Sequence, residues 1–172
     1  NLIEEAIINT LNEYNIESSS LQNGTEVQFI PDKKIFDDYQ FITTHINSLL
    51  WSYAYLNSGL KINFNGKQIF SKNGLLDLLK NKTSNERLYY PIIHIYDKDI
   101  EIAMTHSNNY SEDYHAFVNG QNTVLGGTHL TASKESIVKT IRDFFSKDFE
   151  PSDIRGSVIF CISIKVQDPI FE

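Results

Sequence analysis

The chain has 172 residues, 41% hydrophobic and 22% charged, a composition that suits a soluble globular domain with room for part of a neighbour and argues against wholesale disorder. Fifteen basic against 22 acidic residues give a net charge of −7, a poor match for phosphate backbones, so strong nucleic-acid binding by the chain as a whole is not expected. The single cysteine, Cys161, excludes an internal disulfide or a cysteine-rich zinc site, and apolar runs such as residues 157–164 are too short to span a bilayer.

No basic segment followed by an apolar stretch opens the chain, so a secretory signal is not expected, and Asn1 in place of Met favours an excised or processed segment. Cys161 lies in Val158-Ile159-Phe160-Cys161-Ile162 and reads as a small buried hydrophobe, which fits a reducing cytoplasm. In chain order, Ile3, Ile7, Leu11 and Tyr14 allow a helix at the start, although Asn, Ser and Gln soon dilute the pattern. Residues 24–30 alternate apolar and polar, the period of a half-buried strand ended by Pro31-Asp32. Residues 38–57 carry the clearest helical stripe, Ile42, Ile46, Leu49, Leu50, Tyr53 and Leu56, with Asp37 or Asp38 as cap and Gly59 as stop.

Residues 60–64 and 68–70 then form a hairpin about Asn65-Gly66, and residues 75–80 a short helix. Strands are predicted over residues 91–96 and 99–105, joined at Asp97-Lys98, with a third over 115–118. After Gly126-Gly127 a second long helix shows the stripe Leu130, Ile137, Val138, Ile141, Phe144 and Phe145. Residues 157–166 are apolar and β-branched, the composition of a central strand buried on both faces. The fold class is α+β: a mixed sheet covered by two long helices.

Chemistry is sparse. His106, Glu112, Asp113 and His115 are the nearest thing to a metal cluster, but polar residues at hairpin ends more often serve solvation. The adjacent acids Glu4-Glu5, Asp37-Asp38 and Glu112-Asp113 diverge on either helix or strand, which disfavours a catalytic dyad. The stretch from Gly120 to His129 places glycines before a helix, where amides can face an anion, yet it lacks the Gly-Lys-Ser/Thr of a phosphate-cradling loop. Gly126, Gly127, Thr128 and His129 are therefore assigned to a structural turn, and no catalytic, metal or cofactor-binding residue is expected.

Four ordered stretches carry a resemblance. They are Asn23-Gly24-Thr25 with Phe29-Ile30-Pro31-Asp32 and Ile35-Phe36; residues 53–60; Gly126-Gly127-Thr128-His129-Leu130; and residues 162–172. Together they resemble the ATPase subunits of the bacterial type II DNA topoisomerases, gyrase and topoisomerase IV. Asn73-Gly74-Leu75-Leu76-Asp77-Leu78-Leu79 and Tyr90-Pro91-Ile92-Ile93-His94 look closer to the topoisomerase IV subunit. The resemblance implies that residues 1–32 are terminal strands of a histidine-kinase-like ATPase domain and that residues 33–172 are the transducer. The transducer is a left-handed βαβ domain of the ribosomal-protein type.

It also implies, for the parent enzyme, ATP and Mg as cofactors, and as partners DNA, the DNA-cleaving subunit and a second copy of the ATPase subunit. The transducer relays ATP-driven dimer closure to strand passage, and Gly126 to His129 join that relay as a turn. The nucleotide-contacting residues of the family lie upstream of Asn1 or in a Gln-Thr-Lys loop after Glu172, so the chain itself is expected to be inactive and to bind no nucleotide. Family members often carry an acid after the arginine that matches Arg155, where this chain has Gly156-Ser157. The alternative function is a nucleic-acid-binding module of similar fold.

Overall fold

The computed structural model describes residues 2–13 and 24–170. The chain divides into two compact units, Asn1–Gln40 and Phe41–Glu172. In the first, helix α1 spans Leu2–Glu13 and a single turn, α2, spans Lys33–Phe36. The strands expected within residues 1–32 are not found among the described residues. Residues 2–13 follow their local helical period instead, and residues 24–30 are exposed and belong to no helix or sheet. A helix satisfies its backbone groups within one segment, whereas a strand needs a neighbour to supply the ladder.

The second unit begins with α3, Thr43–Leu56. The sequence pattern starts this helix at residue 38, capped by Asp37 or Asp38. Asp37 instead closes α2 with φ +50°, residues 37–42 belong to no helix, and Ile42 occupies the cap position of α3 without a side-chain bond. Asn57 rather than Gly59 closes the helix, its amide bonding the Tyr53 carbonyl. Strands β1 (Lys61–Phe64) and β2 (Lys67–Phe70) form the hairpin expected about Asn65-Gly66. Next come α4 (Leu75–Lys82), β3 (Ile93–Asp97) and β4 (Ile100–His106), the last two joined at Lys98-Asp99, one residue later than expected.

Strand β5 (Asp113–Val118) turns at Asn119-Gly120 into the two-residue β6 (Gln121–Asn122), a strand too short to show a period in the sequence. Helix α5 (Thr128–Phe145), the short α6 (Pro151–Arg155) and β7 (Val158–Ile164) complete the order. The large sheet runs β3-β4-β7-β5-β6, with β7 antiparallel to β4 and parallel to β5. A parallel pair requires a crossover, and α5 with α6 provides it.

The period of two in β7 sorts its side chains onto two cores. Ile159 and Cys161 meet Ala103, Phe117 and, from α4, Leu75 and Leu79. Val158, Phe160 and Ile162 meet Ala116 on the other face, where Leu130 and Ile137 of α5 close the layer. The long α5 thus covers one face as expected. On the opposite face the short α4 contacts the sheet directly, and α3 reaches that core through Leu56 while packing on α4 and the β1–β2 hairpin. Leu79 is fully buried. Leu79→Ala is therefore expected to cost about 2–5 kcal/mol in urea unfolding, through lost transfer energy and the cavity left between α4 and the sheet. A cost of only a few tenths would show that α4 does not seal that core.

Candidate functional site

The residues considered for metal binding are dispersed by the fold. His106 uses both ring nitrogens, Nδ1 accepting from the Tyr90 hydroxyl and Nε2 donating to the Ile154 carbonyl at 2.9 Å. His115 lies 3.0 Å from the Asp113 carboxylate, and Glu112 turns toward Arg155 at 3.5 Å. Burial, reinforced by Lys82, pushes the His115 imidazole below its usual value against the opposing pull of Asp113. No group of three or more His, Cys, Asp or Glu side chains suited to a metal ion exists among the described residues. Burial also pushes the Cys161 thiol up to about 12, which leaves it protonated and unreactive at neutral pH. Arg155, which precedes the position where the sequence departs from the family pattern, ties α6 to the start of β5 through Glu112.

The turn from residue 126 to 129 is built as a tight entry into α5. Thr123 anchors it, accepting the Gly126 N–H at its carbonyl and donating its own N–H and hydroxyl to the Ala116 carbonyl. The Thr123 hydroxyl also stands 3.3 Å from His129 Nε2, so the imidazole folds back over the turn. Gly126 and Gly127 have φ of +89° and +143°, and a Cβ on Gly127 would lie 2.9 Å from His129 Cε1. Thr128 and His129 open the helix, and the Gly127 carbonyl accepts from both Leu130 and Thr131. Burial lowers the His129 pKa, consistent with a ring that packs as a neutral group.

A second junction, unmarked in the sequence, lies where the chain leaves β7. The Asn119 side chain makes a two-way bond to Val166, donating to its carbonyl and accepting from its N–H, both at 2.9 Å. The Asn119 N–H donates to the Ile164 carbonyl, and the Lys165 N–H donates to the Asp99 carbonyl of the β3–β4 turn at 2.8 Å. Residues 164–166 are thus held from both sides, by the β5–β6 turn and the β3–β4 turn. The only sequence signal is the dipeptide Asn119-Gly120, a hairpin-turn pair. At the start of α4, Asp77 accepts from the Ser71 hydroxyl and from both the backbone and side chain of Asn73. Burial works to raise its pKa, but these bonds and Lys80 outweigh it and hold the carboxyl below the usual value.

A family model described as DNA gyrase B matches residues 71–172. The chain belongs to that family. Among its relatives, the B subunit of DNA topoisomerase 4 from Borreliella burgdorferi is 43% identical over 90% of this chain and 26% of the relative. The B subunit of DNA gyrase from Helicobacter pylori is 31% identical over 90% of this chain and 22% of the relative. The chain therefore spans about a quarter of the length of the curated relatives it matches. Of solved structures, the 43K ATPase domain of Thermus thermophilus gyrase B, in complex with an aminocoumarin, superposes with a TM-score of 0.67 at 26% identity, covering 83% of this chain and 44% of that one. The gyrase B subunit of Myxococcus xanthus has a TM-score of 0.70 at 14% identity over 86% of this chain and 48% of that one, a likeness of fold. The mixed α+β architecture is thus that of gyrase B structures. No helix among the described residues is long and apolar enough to cross a membrane.

The turn and the α4 cap each yield an expectation. Alanine at either Gly126 or Gly127 should destabilise by about 1 kcal/mol through the backbone conformation alone. Gly127→Ala should cost more, because its Cβ also meets the His129 ring, and a His129→Ala background should remove the excess; equal costs in both backgrounds would exclude the ring contact. For Asp77 the depressed folded pKa gives stability that is fully present above the unfolded value of about 4 and is lost as pH falls through the lower folded value. The stability gap between wild type and Asp77→Asn should accordingly narrow on acidification below about pH 4. A gap independent of pH would assign the effect to shape rather than charge.

Proposed function

We propose that residues 33–172 form the transducer of the ATP-hydrolysing B subunit of a type II DNA topoisomerase, which passes ATP-driven dimer closure on to DNA strand passage. Residues 1–32 belong, by position in the resemblance, to the end of the preceding ATPase domain. The observation that carries the reading is the two-sided grip on residues 164–166, which ties the exit of β7 to Asn119 and Asp99. In the family the segment beyond this exit leads to the Gln-Thr-Lys loop at the γ-phosphate, so a displacement there is delivered to the middle of the mixed sheet. The turn from Gly126 to His129 stands at the start of the crossover into β7, where β5 and β6 hand over to α5. It serves the relay as a rigid joint.

In this reading ATP and Mg are bound by other parts of the parent enzyme. What supports this is local: the His129 ring lies over the glycine turn, which carries no lysine for a phosphate. DNA, the DNA-cleaving subunit and a second copy of the ATPase subunit are the partners, and the cytoplasm is the compartment.

The test uses the full-length subunit reconstituted with its partner. Asn119→Ala should leave affinity for a non-hydrolysable ATP analogue intact and lower strand passage per ATP hydrolysed by roughly fivefold or more, the low end of site-to-site coupling. Unchanged coupling in a folded variant would sink the relay reading. Tight, salt-resistant binding of duplex DNA by the 172-residue chain would favour a nucleic-acid-binding module instead.

A further inference from the structure

The first turn of α4 carries a bond that sequence proximity does not explain. A helix start leaves N–H groups without intrahelical acceptors. Here Leu76 donates to the Asn73 carbonyl, and Asp77 and Leu78 to that of Gly74. The Leu75 N–H turns to Oε1 of Glu101 on β4, 2.8 Å away and 26 residues on. The same oxygen accepts from His94 Nε2 on β3 at 2.9 Å, and the Glu101 side chain is only 11% exposed. A carboxylate at this end of the helix also meets the positive pole of the macrodipole.

Gly74, at the cap position, has no side chain to offer and adopts φ +55°. A Cβ built there would lie 2.6 Å from Glu101 Oε1 and 2.7 Å from Ser58 Oγ. The place of an ordinary cap is thus filled by a carboxylate from the sheet. Two connections meet there: Ser58, just after α3, and the start of α4.

We propose that Glu101 is a remote N-cap and positioning residue. Its carboxylate, oriented by His94, latches α4 and the layer behind it to the mixed sheet, and position 74 is glycine because any side chain would displace that carboxylate. Core packing between α4 and the sheet is non-directional and would tolerate a slide of the helix along β4 and β7. The Leu75–Glu101 bond fixes the helix along its axis. The inference concerns the architecture of this unit and holds independently of the relay reading.

The 172-residue chain itself provides the test, by amide hydrogen exchange. In Glu101→Ala the Leu75 amide should exchange roughly tenfold faster or more, as for loss of one charge-assisted hydrogen bond, while the α5 amides stay near wild type. Glu101→Gln keeps an acceptor and should fall between, and His94→Ala should give a smaller acceleration at the same amide. Gly74→Ala should lower the urea midpoint strongly in wild type and much less in Glu101→Ala, since the clash is then relieved and only the backbone conformation remains. Should Glu101→Ala not fold, Glu101→Gln and His94→Ala carry the exchange test, and the Gly74→Ala comparison is made in Glu101→Gln, where no relief is expected because the side chain is isosteric. Uniform acceleration across α4 and α5, an unaffected Leu75 amide, or additive Gly74 and Glu101 effects in folded proteins would overturn the proposal.

Discussion

Strand β7 is the member on which the other elements of the 41–172 unit depend. It pairs with β4 on one side over seven residues and with β5 on the other over six, so both its edges are consumed. Val158 to Ile162 are all buried, and their alternation feeds two separate cores at once. Such a strand must be apolar throughout, because neither face meets water. It must also wait for its partners: β4 and β5 lie well before it in the chain, and the parallel pairing with β5 forms only after α5 has crossed the sheet. Loop closure on that scale makes the strand a late, non-local assembly.

That central position bears on the relay proposed for the exit of β7. A segment leaving the middle of a sheet is mechanically coupled to every strand around it. Here the coupling is made explicit by Asn119 and Asp99, which grip the chain from the β5–β6 and β3–β4 turns. Neither contact involves a buried charge; both are backbone or amide bonds that fix direction more than they add stability. The polar groups that sequence inspection would consider for a metal cluster are employed otherwise. His106 pins α6, His115 and Asp113 satisfy each other, and Glu112 and Arg155 join β5 to α6. These bonds join one element to the next, and the buried Cys161 thiol is pushed far above neutral pH.

Family membership and fold were legible because their signals are distributed. Four ordered stretches carry the resemblance, and an unbroken apolar, β-branched run marks β7 and a period of 3.6 marks α5 without reference to any partner. The Gly126-Gly127 turn was legible too, since glycines before a helical stripe announce a tight entry. The role of the His129 ring in filling that turn was not. Asn119 and Glu101 escaped for a related reason. Each acts on an acceptor or donor 26 to 47 residues away; Asn119 shows only its turn pairing with Gly120, and nothing near Glu101 marks it out.

Sequence alone therefore determined the elements whose stabilising groups are local or whose burial is complete: the Asn65-Gly66 hairpin, the helix after Gly127 and the apolar strand ending at Ile164. It failed where an element depends on a neighbour. Residues 24–30 have the alternation of a strand, but alternation becomes a strand only when a ladder forms, and the opening residues took the helix their own spacing allows. Tertiary structure alone decided that the short α4 is the helix directly against the second face of the sheet, that Glu101 caps it, and that Asn119 holds the exit of β7. Local periodicity specifies which face of an element is apolar; only the assembled sheet specifies what that face, and the polar groups at its ends, will meet.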